Sequence, residues 1–244
     1  MVIVAFRLVF RALGLRFDVR NAAQLPAAGP AVVACNHIGF LDFTFVGLAA
    51  SQRRRLVRFM AKQSTFDNQI SGPLMRAMRH IPVDRSNGAA AYRRAAGQLQ
   101  RGEIVGIFPE ATISRAWTLK PFKLGAATLA VREQVPLIPV VTWGGHRVLT
   151  VGGRWSLRRG KAVAVFVGEP IVPEPQADVA AVDGELRRRM QQLLELAQGS
   201  YPDRPRSDAD RWWLPMHLGG SAPAPAEAAE LDTAALRGGD LVRR

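Results

Sequence analysis

The chain has 244 residues, enough for one sizeable domain with its own core. Hydrophobic residues make up 48%, which excludes a disordered chain, and the single cysteine, Cys35, excludes an internal disulfide framework and a cysteine-based metal cluster. The formal net charge of +13, from 33 Lys+Arg against 20 Asp+Glu, selects no fold but favours anionic partners: nucleic acid, acidic lipid headgroups or a phosphorylated substrate.

Residues 1–30 read as an amphipathic, membrane-facing helix and a linker. The first 19 residues are strongly apolar, but Arg7, Arg11 and Arg16 interrupt them before the roughly 18 apolar residues of a spanning helix are reached. Arg7 and Arg11 share one helical face, from which they can reach lipid phosphates. Ala31 to Cys35 reads as a buried strand, and Asp42 to Ala50 as a helix with an acidic first turn. Leu56 to Ala61 is a second strand. Phe66 to Met78 is helical, with a break expected at Gly72-Pro73. Ile81 to Val83 is a short extended piece, Ala89 to Arg101 a helix stopped by Gly102, and Ile104 to Phe108 a buried strand. A turn region, 109–121, precedes a helix from Phe122 to about Glu133. Strands follow at Pro136 to Trp143 and Ala162 to Val167, then a basic helix from Asp183 to Gln198.

This alternation predicts a single α/β domain over 31–200, with a mostly parallel mixed sheet flanked by helices. Residues 201–244, rich in Pro, Gly, Ala and charge, read as a mostly flexible tail, with Trp212-Trp213 docking on the domain.

The informative segment is Asn36-His37-Ile38-Gly39-Phe40-Leu41-Asp42. Five residues apart, His37 and Asp42 would point about 140° away from each other on a helix, and to opposite faces on a strand. They meet only if the chain turns between them, and Gly39 makes that turn easy. At a strand-to-helix junction the pair would sit on the carboxyl edge of the sheet, where open α/β folds build sites. Asp42 could then hold one ring nitrogen and leave the other as a base.

Three further blocks follow in order. His80-Ile81-Pro82-Val83-Asp84-Arg85 ends in an arginine suited to phosphate. Phe108-Pro109-Glu110-Ala111-Thr112-Ile113-Ser114 puts a carboxylate and two hydroxyls after a buried strand. Val135-Pro136-Leu137-Ile138-Pro139-Val140 is an apolar strand bracketed by prolines. The four blocks together resemble the glycerolipid acyltransferases of the 1-acylglycerol-3-phosphate acyltransferase family, over roughly Ala31 to Val141. Ala61-Lys62 and Phe122-Lys123-x-Gly125-Ala126 are also similar to the family.

The resemblance implies an O-acyltransferase of phospholipid biosynthesis. His37 would take the proton from an acceptor hydroxyl that attacks the acyl-CoA thioester, with Asp42 orienting the ring. Arg85, Glu110, Thr112 and Lys62 would bind the 1-acylglycerol-3-phosphate acceptor, and the product would be phosphatidic acid. No metal or redox cofactor is implied; acyl-CoA is a co-substrate, with acyl carrier protein as the alternative donor. The implied partners are a lysophospholipid and an anionic membrane surface, without nucleic acid, and the implied place is the cytoplasmic side of the plasma membrane, peripherally bound.

Two departures stand out. Ala111 replaces the family's glycine and Ile113, which cannot bind a phosphate, its arginine; Arg115, two residues on, is a candidate substitute if the loop differs, and the acceptor could also be another lysolipid or a glycolipid hydroxyl. Three other readings compete: an anionic-lipid-binding protein without catalysis, a nucleic-acid binder suggested by charge alone, and the same dyad with another acyl donor. No helix-turn-helix, aromatic stacking motif or zinc spacing supports the second of these.

Overall fold

A computed structural model describes residues 2–84, 86–152 and 154–241. Its centre follows from the continuous apolar runs. Strands β2 (Ala31–Cys35), β6 (Leu137–Trp143) and β7 (Ala162–Val167) are buried along their whole length. Strands that bury both faces need cover on both, and side-chain alternation sorts them into two layers. Val32, Ala34, Val141 and Phe166 point into one apolar layer; Val33, Cys35, Val140 and Val165 point into the other.

With β1 (Arg16–Arg20), β3 (Val57–Lys62), β4 (Ile81–Val83) and β5 (Ile104–Ile107), these strands form one sheet of order β1-β7-β6-β2-β5-β3-β4. Every pairing is parallel except β6 with β7. The single α/β domain with a mostly parallel mixed sheet is therefore as the sequence predicts. Helices α5 (Gly88–Leu99), α6 (Gly125–Glu133) and α7 (Val179–Gly199) cover one face, burying Leu99, Leu129, Leu186 and Met190. Helices α1 (Val2–Ala12) and α2 (Asp42–Ser51) lie on the other, which contains Phe10, Phe45 and Val46.

Strand β2 is the pivot. The chain leaves it through α2 toward β3 on one side, and later passes from β5 through α6 to β6 on the other. The carboxyl end of β2 is thus a topological switch point, the place where open α/β sheets leave a crevice.

Four expectations are corrected. Residues 16–20 are not linker: β1 is an edge strand in parallel register with β7, from Arg16 opposite Ala162 to Arg20 opposite Phe166. Its alternating charges hide it from a pattern search, and Arg20 stacks its guanidinium over Phe166. Residues 201–235 pack on the domain instead of forming a flexible tail. Tyr201 and Trp213 are buried, Arg147 pairs with Asp203, and the Trp117 indole donates to the Trp212 carbonyl at 2.8 Å. An eighth helix, α8 (Pro225–Leu241), follows where disorder was expected. Gly72-Pro73 does not break a helix either. It lies in the first turn of α4 (Ser71–Ala77), where proline's missing N–H costs nothing, and the break falls earlier, between α3 (Gln63–Asp67) and α4.

Helix α1 docks lightly. Phe10 is 3% exposed, against Phe17 and Phe45, and Phe6 meets Phe43 edge-on. Arg7 reaches the Ser51 hydroxyl at 3.0 Å. From residue 3 onward the other apolar side chains are turned outward, including Val4 and Leu8, the latter 63% exposed. Among the described residues, no helix is long and apolar enough to cross a membrane.

Candidate active site

Sheet register brings three separated blocks together. In β2, Ala34 lies opposite Ile107 of β5, so three residues further on His37 comes beside Glu110. Cys35 lies opposite Val140 of β6, which brings Thr142 beside His37 on the other flank. The main chain then turns sharply through Ile38, Gly39 and Phe40 into α2. A Cβ at Gly39 would stand 3.0 Å from the Leu149 carbonyl, so the turn packs tightly on its neighbour.

Asp42 heads α2 and is fully buried. Its Oδ2 accepts from three nitrogens: the His37 ring Nδ1 at 3.0 Å, the Ile38 N–H at 2.7 Å and the Gly39 N–H at 2.8 Å. Its Oδ1 accepts from the Thr142 hydroxyl at 3.2 Å. One carboxylate thus holds both the ring and the turn that carries it. With Nδ1 donating to Asp42, the His37 tautomer has a bare Nε2, and the side chain is 19% exposed. The ring stacks on Phe108 at 4.0 Å between centroids, and Phe108 stacks in turn on Phe59. The imidazole can therefore neither rotate about its bond to Asp42 nor retreat.

The residue before His37 is also anchored. The Asn36 side chain exchanges two hydrogen bonds with the backbone of Thr142: its Oδ1 accepts from the Thr142 N–H at 2.7 Å and its amide donates to the Thr142 carbonyl at 3.0 Å. This stitches β2 to β6 beyond the last ladder pair. In the sequence Asn36 and Thr142 carry only a weak signal, a lone amide and a lone hydroxyl at the ends of two otherwise apolar strands.

Glu110 is buried, and both its oxygens are engaged. One accepts from the His37 backbone N–H at 2.9 Å, the other from the Lys120 backbone N–H at 2.9 Å. Burial pushes its carboxyl up to about 8, against the pull of the Lys120 and His37 N–H groups and the Lys120 charge. Glu110 therefore ties the loop to His37, and both its oxygens are taken up by backbone N–H groups where direct acceptor binding was expected. The Ser114 N–H donates to the His37 carbonyl at 2.7 Å and closes the same wrap.

The other predicted residues divide. Thr112 is half-buried, and its hydroxyl accepts from Lys120 Nζ at 2.5 Å. Lys62 is exposed at the carboxyl end of β3, opposite Val83 of β4. Arg85 lies outside the described residues. Ile113 is 7% exposed in the core layer that contains Trp117 and Leu119, so it presents nothing to a substrate. Ala111 adopts a left-handed backbone, φ 62°, in the place where the family has glycine. Arg115, the candidate substitute for the family's arginine, and Lys120, which carried no expectation, both reach Asp232 of α8.

Fold and site together define an open α/β sheet with a histidine–carboxylate pair at its carboxyl edge, one ring nitrogen tied to the carboxylate and the other free to accept a proton. Residues 16–143 match the acyltransferase family. The chain is 33% identical over 178 residues to the 1-acyl-sn-glycerol-3-phosphate acyltransferase of Bacillus subtilis (strain 168), covering 72% of this chain and 83% of that one. It is 35% identical over 132 residues to the Homo sapiens 1-acyl-sn-glycerol-3-phosphate acyltransferase beta, covering 52% of this chain and 46% of the relative. The solved structure of the 1-acyl-sn-glycerophosphate (LPA) acyltransferase PlsC from Thermotoga maritima superposes with a TM-score of 0.70 at 22% identity, over 83% of this chain and 80% of that one. The chain belongs to the acyltransferase family and is an O-acyltransferase.

Proposed function

We propose that this enzyme acylates the free hydroxyl of 1-acylglycerol-3-phosphate, giving phosphatidic acid, with acyl-CoA as donor. The observation that carries the reading is the fixed His37–Asp42 pair, with Nδ1 tied to the carboxylate and Nε2 left to face the substrate. The names of its relatives supply the acceptor.

In this reading Nε2 removes the proton as the acceptor oxygen attacks the thioester carbonyl. The imidazolium that forms lies 3.0 Å from the Asp42 carboxylate, which stabilises it without itself taking the proton. The tetrahedral intermediate collapses to the ester and expels the CoA thiolate, which takes up the proton from His37 or solvent. The aromatic stack of Phe108 and Phe59 behind the ring keeps water from that side.

We place the enzyme peripherally on an anionic membrane, at the cytoplasmic face where acyl-CoA is available. Two exposed surfaces support this. One is the outer face of α1, with Val4 and Leu8 beside Arg7 and Arg11. The other is the segment after the Leu149–Trp155 bridge, where Trp155 and Leu157 stand exposed among Arg154, Arg158 and Arg159. Its base touches the active-site turn: the Phe40 N–H donates to the Leu149 carbonyl, and the Thr150 hydroxyl to the Ile38 carbonyl.

The buried Ile113 favours a test against alternatives. Incubating the enzyme with vesicles and a panel of lysolipids and glycolipids, each with acyl-CoA or acyl carrier protein as donor, should give phosphatidic acid as the main ester by mass spectrometry. Preferential acylation of a phosphate-free acceptor would replace the proposed acceptor.

A further inference from the structure

The acceptor in the reading above carries a phosphate, and the side chain at 113 is buried in the core and brings it no charge. The same loop sends two cations elsewhere. Arg115 Nε lies 3.0 Å from Asp232 Oδ1, and Lys120 Nζ lies 2.5 Å from Asp232 Oδ2. Lys120 Nζ also meets the Thr112 hydroxyl at 2.5 Å. A guanidinium and an ammonium from one loop thus converge on a single carboxylate, which belongs to a helix more than a hundred residues further along the chain, while the Thr112 hydroxyl of the same loop holds the ammonium from another side.

This loop is rigidly tied to the base. The Glu110 carboxyl group bridges the N–H groups of His37 and Lys120, the Ser114 N–H donates to the His37 carbonyl, and Arg187 of α7 donates to the Lys120 carbonyl at 2.6 Å. An anion held by Arg115 and Lys120 is therefore held in fixed relation to His37. The donor set suits phosphate: a planar guanidinium fork, a point charge and a neutral hydroxyl. Asp232 brings one negative charge to two positive ones, so a phosphate dianion matches the pair better than the residue that fills it. The carboxylate is also weakly seated. Of the residues of α8 up to 235, only Ala228 is buried.

We propose that Arg115, Lys120 and Thr112 form the subsite that receives the acceptor's phosphate, and that Asp232 of α8 occupies it as an internal counterion which the phosphate displaces. This inference rests on the phosphate-bearing acceptor of the proposed function. It makes α8 a competitor for the acceptor rather than part of the catalytic machinery.

The test uses the full chain and the variants D232N, K120M and R115M. K120M leaves the backbone N–H that holds Glu110 intact. Calorimetry with glycerol 3-phosphate measures the subsite alone; initial rates with 1-acylglycerol-3-phosphate and with phosphate-free 1-acylglycerol measure its use. Loss of one charged partner should weaken glycerol 3-phosphate binding and raise KM for the phosphorylated acceptor by roughly 10–100-fold, leaving the phosphate-free acceptor unchanged. D232N should move both quantities the other way, with kcat preserved. Unchanged binding in K120M and R115M, or a D232N variant that raises KM as they do, would overturn the proposal and leave an ion pair that only anchors α8. If the wild type binds glycerol 3-phosphate through Lys120 yet acylates no phosphorylated lysolipid, the acceptor reading falls and the subsite stands. If it neither binds nor acylates, both fall.

Discussion

Asp42 grips His37 twice, once through the ring Nδ1 at 3.0 Å and once through the turn that follows it, by accepting the Ile38 and Gly39 N–H groups on the same oxygen. The carboxylate therefore has a geometric task and an electrostatic one, and the two can be separated. In Asp42→Asn the amide oxygen can still accept the three N–H groups, while its NH2 can donate to the Thr142 hydroxyl that formerly donated to Asp42. The turn should survive and the charge that stabilises the imidazolium should not. Turnover is expected to fall at least about a hundredfold with little change in melting temperature. Steady-state rates beside a thermal melt check this; near-wild-type turnover would mean the charge has no part in the reaction.

Ala111 carries a side chain in a left-handed conformation, φ 62°. Ala111→Gly relieves that strain, though it also loosens the unfolded chain. The net gain is expected to be about 1 kcal/mol, roughly 2–4 °C in melting temperature for a chain of this size. A lower melting temperature would show that the methyl group makes contacts worth more than the strain.

Three buried groups set opposing slopes on stability against pH. Burial pushes His80 down to about 4, helped by Arg58, and His146 down to about 3, with Arg147 adding to the fall and the Trp213 carbonyl opposing it. Both are neutral in the folded protein near pH 5, whereas the unfolded chain takes up protons below about 6.5, so folding loses stability as pH falls through that range. Glu110 acts in the other direction. Folded, it keeps its proton up to about 8, whereas unfolded it ionises near 4.5, so stability falls as pH rises between those values. From about 4.5 to 6.5 the two histidines outweigh the one carboxyl, for a net gain of about 1.4 kcal/mol per pH unit. Above that Glu110 alone remains, with a loss of similar slope. Denaturant midpoints from pH 5 to 8 should peak near pH 6.5; a steady rise to pH 8 would contradict the assignment of Glu110.

The outward face of α1 should contribute to membrane binding without contributing to the fold. Val4 and Leu8 are exposed, and the helix is held by Phe6, Phe10 and the Arg7–Ser51 bond. Replacing Val4 and Leu8 together by serine is expected to weaken sedimentation with anionic vesicles by at least about tenfold, since each fully buried side chain contributes about 1.5–3 kcal/mol. Thermal melts should not move. Unaltered vesicle binding would shift the membrane contact to Trp155 and Leu157.

Much of this architecture was legible in the residues. The strands β2, β6 and β7 announce themselves because they are buried on both faces and therefore continuously apolar. His37 and Asp42 were legible as a pair because no regular element brings residues five apart together, which forces a turn. What stayed hidden has a common cause. Strand β1, Arg16-Phe17-Asp18-Val19-Arg20, lies at a sheet edge and keeps its charges, so its pattern resembles a loop. Helix α8 is rich in alanine and mostly exposed over 225–235, and composition alone does not separate such a helix from a disordered tail. The contacts of Arg115 and Lys120 with Asp232 span over a hundred residues, and no local spacing signals them. Glu110 was found by its motif, but its burial and its two backbone partners depend on the register between β2 and β5.

Whether His37 is the base for acyl transfer to a lysophosphatidate hydroxyl is decided by thiol release from a long-chain acyl-CoA, with purified protein, vesicles and 1-acylglycerol-3-phosphate, beside His37→Ala. Release should require the acceptor and disappear in the variant, while the variant stays folded and bound to vesicles. Acceptor-dependent release that persists in His37→Ala would remove His37 as the base.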